Sequence, residues 1–83
     1  MLRPLPIFAE RLMLTRRRAA MSQGDVAELV GCHKSDVSKM ERQLMLPSAS
    51  RLLHLAQALG VSTDYLLGND KEFKVRWPAE GRS

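Results

Sequence analysis

Residues 22–42 read SQGDVAELVGCHKSDVSKMER, and the fold turns on how this stretch is parsed. Ser22 followed three residues later by Asp25 is an approximate capping box, the signature of a helix start. Val26, Ala27 and Val30 then share the inner side of a short helix from Gln23 to about Val30. Gly31 ends it, because glycine takes the left-handed conformation at a helix C-terminus without a steric penalty. A second short helix runs from about Lys34 to Arg42. His33 is its cap, an unusual choice, Asp36 lies near the positive end of its dipole, and Val37 and Met40 face inward. Only Gly31-Cys32-His33 separates the two, and Ala27 is small where they must approach closely. With Val26, Val37 and Met40 locking one helix on the other, the span has the form of a helix-turn-helix.

The flanking sequence is helical too. Phe8, Leu12, Thr15 and Ala19 recur at steps of four, three and four, which predicts a helix from Ile7 to about Ala20 with Arg11, Arg16, Arg17 and Arg18 mostly off its buried face. Pro4 and Pro6 deny regular structure to an extension over residues 1–6. Downstream, an apolar link of Leu44, Met45 and Leu46 leads to Pro47 and a Ser48 cap. A helix over about Ala49–Leu59 follows, with Leu52, Leu55, Ala56 and Leu59 at helical spacing and Gly60 as its stop. Ser62 or Thr63 caps a last short helix through Leu67, closed by Gly68. Helices joined by such short links predict an all-α, compact five-helix bundle over residues 7–68. Residues 69–83 leave the helical pattern: Phe73, Val75 and Trp77 alternate with Lys74 and Arg76, a period-two signal for a short strand. A lone strand is unstable in water, so this tail either pairs with something or stays without structure. Trp77 fits three roles equally: cover for the domain's own surface, a dimer contact, or part of an unstructured tail.

Composition narrows the class. Eighty-three residues allow one domain, whose small core must be efficient or assisted by a partner chain. Cys32 stands alone, which excludes a disulfide framework and fits a reducing cytoplasm. The N-terminal stretch MLRPLPIFAERLML is interrupted by Arg3, two prolines and Glu10, so neither a signal peptide nor a membrane span is expected. No nucleophile–base pair, carboxylate dyad, metal cluster or phosphate loop stands out, and His33 and His54 lack metal-ligand spacing. The expectation is a protein that is not an enzyme and carries no cofactor. The net charge of +4 and a pI near 9.8 fit a polyanionic partner, and the basic excess sits in the first half of the chain.

The second helix of the 22–42 unit suits such a partner. At about 100° per residue, Lys34, Ser35, Ser38 and Lys39 span about 140° opposite the buried side. Lysine donates to guanine O6 and N7 or to phosphate, and serine donates or accepts at base edges. An α-helix fits the major groove of DNA with its first turn deepest. Gln23, at the start of the preceding helix, is placed to touch a phosphate.

The stretch RLMLTRRRAAMSQGDVAELVGCHKSDVSKMERQLMLPSASRLLHLAQALGVSTDYLLG, residues 11–68, resembles the Cro/phage-repressor (Xre-like) helix-turn-helix family without a gap. The resemblance rests on Ser22-Gln23, Val26-Ala27, Gly31, Val37-Ser38, Glu41, Pro47-Ser48 and the run Leu55–Ser62. It implies a lambda-repressor-like bundle and assigns roles. Gln23 touches the DNA backbone, Lys34, Ser35 and Lys39 read bases with Ser38 between them, and His33 approaches a phosphate. Arg16 and Glu41 form an ion pair tying the first helix to the end of the recognition helix. Two departures are visible. Where the family commonly has Asn-Gly after Glu41 and then basic residues, this chain has Arg42-Gln43 and an apolar trio. Thr15 stands where leucine is usual, and Leu14 takes a position that is normally polar. Arg42 partly restores the missing phosphate-binding charge, and Arg17 or Arg18 is a further phosphate candidate.

The expected function is that of a cytoplasmic, bacterial or phage-encoded transcriptional regulator. It would act as a repressor, binding a two-fold operator in double-stranded DNA as a homodimer. The alternative is an antitoxin or accessory protein whose main role is to bind a protein partner. Leu44, Met45 and Leu46, with Phe73, Val75 and Trp77, are candidate contacts for a twin or for that partner.

Overall fold

Phe8 and Leu12, Val26, Val37 and Met40, Leu55, and Leu66 are each fully withdrawn from solvent in a computed structural model of the chain, which describes residues 4–69. They come from five helices: α1 (Pro4–Arg18), α2 (Gln23–Val30), α3 (Lys34–Glu41), α4 (Ala49–Leu59) and α5 (Thr63–Leu67). Every regular element among the described residues is α-helical. Burying each of these large side chains is worth about 1.5–3 kcal/mol, and together they make one continuous core. Around it α2 packs on α3 and α4, α1 packs on α3 and α5, and α4 touches α5. The five-helix bundle expected from periodicity is the architecture observed. The strand expected from Phe73, Val75 and Trp77 lies outside the described residues.

The first helix departs from expectation at both ends. It starts at Pro4 rather than Ile7. Prolines at the first and third helical positions lose nothing, because those positions have no carbonyl four residues back to receive an N–H. It ends at Arg18, with Ala20 in the left-handed region at φ 58°, so that Met21 N–H reaches the Arg16 carbonyl (3.1 Å) and Ala20 N–H the Arg17 carbonyl (3.0 Å). This is a Schellman closure with alanine where glycine is usual. Ala19 therefore falls outside the helix and is exposed, not part of the buried face. Thr15, by contrast, is buried, and its hydroxyl donates to the Arg11 carbonyl, which removes the cost of a polar group in a leucine position.

Three of the remaining helices, α2, α4 and α5, begin on serine caps. Ser22 Oγ accepts from Asp25 N–H (3.0 Å) while Asp25 Oδ2 accepts from Ser22 N–H (2.9 Å). Ser48 and Ser62 accept from the N–H groups of Arg51 and Tyr65. At the other end of the bundle Gly68, at φ 80°, lies so close to Ile7 that a Cβ there would come within 2.8 Å of Ile7 Cγ2. Arg11 fastens the same seam: its guanidinium lies 4.5 Å over the Tyr65 ring and donates to the Tyr65 carbonyl at 2.6 Å. No helix among the described residues is long and apolar enough to cross a membrane.

Candidate nucleic-acid interface

The turn between α2 and α3 is closed by backbone alone. Gly31, at φ 83°, and Cys32 both donate to the Ala27 carbonyl, at 2.8 and 2.9 Å. The chain reverses in three residues and sends α3 across α2, with Val37 and Met40 buried beneath it. Cys32 is half-buried against the core, and burial pushes its thiol above the ordinary pKa against the opposing pull of Arg51.

The opposite side of α3 faces solvent. Lys34, Ser35 and Lys39 are exposed, and their side chains make no hydrogen bond or ion pair among the described residues. Ser38 is half-buried, and its hydroxyl accepts from Arg42 Nε at 3.2 Å, so Arg42 folds back along the helix. His33 is the exposed N-cap, where its backbone N–H donates to Asp36 Oδ2 at 3.1 Å. Asp36 also stands 4.0 Å from Arg51, linking the first turns of α3 and α4.

A polar cluster anchors the C-terminal end of α3. Arg16 Nε meets Glu41 Oε2 at 2.6 Å and Arg16 Nη2 meets Oε1 at 3.0 Å, while Arg16 Nη1 donates to the Met21 carbonyl. Gln23 Nε2 donates to the same Oε1 at 3.0 Å, so the first residue of α2 is tied to the last of α3. The carboxylate holds the Arg16 pKa above its already high ordinary value, chiefly through the hydrogen bond between them. Beyond this anchor Gln43 adopts φ 65° and Leu44 N–H returns to the Lys39 carbonyl at 2.8 Å. Met45 then packs against the core, whereas Leu44 and Leu46 remain 64% and 46% exposed. Of the three apolar link residues Met45 is the one that faces inward, and Leu44 and Leu46 are the exposed ones. Arg17 is exposed near Glu41 and Gln43. Phe73, Val75 and Trp77 lie outside the described residues.

Three of these contacts had no counterpart in the sequence reading: Gln23 on Glu41, Arg51 near Asp36, and Arg11 over Tyr65. Pairings across helices leave no periodic trace. The left-handed Gln43 was detectable, since it occupies the position where related sequences place glycine.

Two short helices joined by a closed turn, the second with a buried apolar side and an open polar one, define a helix-turn-helix protein. The chain belongs to the Helix-turn-helix domain family, which matches residues 7–66, in its Cro/phage-repressor (Xre-like) branch. It is 37% identical over 67 residues to the HTH-type transcriptional regulator ImmR of Bacillus subtilis (strain 168), covering 81% of this chain and 53% of that protein. It is 33% identical over 64 residues to Repressor protein C2 of Salmonella phage P22, covering 77% of this chain and 30% of that one. The crystal structure of the P22 c2 repressor with synthetic operator 9T superposes with a TM-score of 0.74 at 33% identity, over 77% of this chain and 97% of that one. A hypothetical transcription factor from Neisseria, NHTF, gives a TM-score of 0.76 at 28% identity, over 89% and 86% of the two chains. The chain spans about half the length of the first curated relative and under a third of the second.

Proposed function

We propose that this protein is a sequence-specific, double-stranded DNA-binding transcriptional regulator that inserts α3 in the major groove and acts as a repressor. The observation that carries the reading is the open side of α3: Lys34, Ser35 and Lys39 offer donors that nothing among the described residues uses, on a helix braced by Glu41. Lys34, Ser35 and Lys39 read base edges, with Ser38 between them. Gln23, His33, Arg42 and Arg17 contact phosphates and set the register. Gln23 keeps its second amide hydrogen for this contact while the first is held by Glu41.

One such unit covers about half a turn of duplex, so two copies on a two-fold site are expected. Exposed Leu44 and Leu46 supply apolar area for that association. The kinship with a phage repressor whose structure was solved on operator DNA supports the same mode here, in the cytoplasm of a bacterium or its phage. The role is binding and blocking rather than catalysis, and it needs no cofactor. A second reading, a DNA-binding antitoxin or accessory protein that engages another protein, is favoured by the same exposed Leu44 and Leu46 together with Leu29, 63% exposed on α2.

Selection from a random duplex pool at two salt concentrations tests the proposal. A recovered two-fold sequence whose affinity falls steeply with salt is the expected result. Equal affinity for every duplex would overturn it, and dominant capture of one protein with no preferred duplex would favour the second reading.

A further inference from the structure

Glu10 and Arg17 stand two turns apart on α1, about 10.5 Å along its axis. Both are exposed, and neither makes a hydrogen bond or ion pair among the described residues. At about 100° per residue they lie near the middle of one stripe of the helix, with Met13 on one flank and Leu14 on the other. The stripe is the floor of an open groove of about 390 Å³, walled by Glu41 and Gln43 at and just beyond the end of α3. Glu41 brings no free charge to that wall, because Arg16 holds its carboxylate. Leu14 is 43% exposed, and Ile7, two turns earlier on the same edge, is 42% exposed. Apolar surface is therefore left in water beside two opposite charges that have no use within the described fold.

We propose that this stripe docks a second copy of the chain, α1 against α1, antiparallel about a two-fold axis that passes between Met13 and Leu14. An isologous contact puts residue i on j and j on i, so the face must complement itself. This one does: its order is acid, apolar, apolar, base, with the midpoint between Met13 and Leu14. Glu10 of each copy meets Arg17 of the other, while Met13 and Leu14 of the two copies pack between the ion pairs. A parallel arrangement would set Glu10 on Glu10 and Arg17 on Arg17, so charge selects the antiparallel one. The inference goes beyond the proposed function, which calls for two copies without saying how they are set against each other, and it does not depend on what α3 binds. Arg17 can serve both: a guanidinium has five donors, so a carboxylate on one edge leaves the other for phosphate. Gln43 on the groove wall directly precedes Leu44, so the exposed link continues from the edge of the same groove.

Sedimentation equilibrium of the intact protein without DNA, over a concentration series, tests the pairing. One helix laid on another is a small interface, so a weak, concentration-dependent monomer–dimer equilibrium is the expected result. Glu10→Arg and Arg17→Glu, each alone, turn two attractions into two repulsions and weaken the dimer about tenfold. Mixing the two variants restores it, because every contact in the mixed pair again joins opposite charges. Leu14→Lys also weakens the dimer, whereas Leu53→Lys, on the exposed side of α4, leaves it in place. Helical content by circular dichroism accompanies each variant. Should a single reversal lose helix, the exchanged chain Glu10→Arg/Arg17→Glu takes its place, and it dimerises as the native chain does. A native protein that stays monomeric throughout the series overturns the proposal and leaves the duplex-reading role of α3 standing. So does a dimer that neither charge reversal weakens, or one that the mixture fails to restore.

Discussion

Arg16 and Glu41 close on each other across the bundle in a two-pronged pair, Nε to Oε2 at 2.6 Å and Nη2 to Oε1 at 3.0 Å, with side chains 12% and 3% exposed. The pair joins the last turn of α1 to the last residue of α3, and Gln23 leans on the same carboxylate from α2. A fork-to-carboxylate contact fixes direction as well as distance. Three helices are therefore referenced to one side chain, and α3 cannot roll about its axis without breaking three hydrogen bonds.

Removing one partner leaves the other's charge nearly buried and unpaired. Glu41→Leu is expected to cost about 3–5 kcal/mol in urea unfolding. The double variant Arg16→Met/Glu41→Leu, which removes both charges, should cost clearly less than the sum of the two single changes. Additive losses would mean the two groups act independently despite their geometry.

Ala20 and Gln43 hold φ 58° and 65°, where a Cβ crowds the following carbonyl. Ala20→Gly and Gln43→Gly relieve that crowding but loosen the unfolded chain, leaving a net gain of about 0.5–1 kcal/mol each. A higher denaturant midpoint with an unchanged slope is the readout. A lower midpoint in both variants would show that the side chains contribute contacts worth more than the strain.

The same two residues mark how far the sequence could be read. Val26, Ala27, Val37, Met40, Leu55 and Leu66 betray their burial through helical spacing, and Ser22, Gly31, Ser48 and Gly68 punctuate the ends through local chemistry. Ala20 is mute, because alanine is the strongest helix former and its left-handed turn is imposed by where Met21 must go. Pro4 misled for the opposite reason: its ring ends most helices but is harmless in a first turn. In the site, the exposed side of α3 follows from its buried side. That Gln23 shares Glu41 with Arg16 depends on three helices meeting, which no local pattern encodes.

Asp25 supplies a pH dependence. Hydrogen bonds from the Ser22 backbone and then its side chain hold the Asp25 carboxyl below its ordinary pKa. A depressed carboxyl contributes stability that is fully present above the unfolded value, about 3.9, and is lost as pH falls through the lower folded value. The stability gap between the native chain and Asp25→Asn should therefore be widest near neutrality and shrink as pH falls below about 4. Parallel urea titrations at the two ends of that range check it, and a gap that stays constant would detach the carboxylate charge from the cap.

Lys34 and Arg17 should separate base reading from phosphate binding. Lys34 projects from the first turn of α3, the part of such a helix that goes deepest, and makes no hydrogen bond or ion pair among the described residues. Lys34→Ala is expected to cost about 1–3 kcal/mol on the selected duplex and much less on random duplex, narrowing the ratio between them. Arg17 lies on α1, off the reading face, so Arg17→Ala should weaken both duplexes alike and reduce the salt slope by about one. Titrations of each variant on both duplexes at several salt concentrations decide the matter. Equal losses on both duplexes for Lys34→Ala would demote it to a phosphate contact, and a loss confined to the selected duplex for Arg17→Ala would place α1, not α3, against the bases.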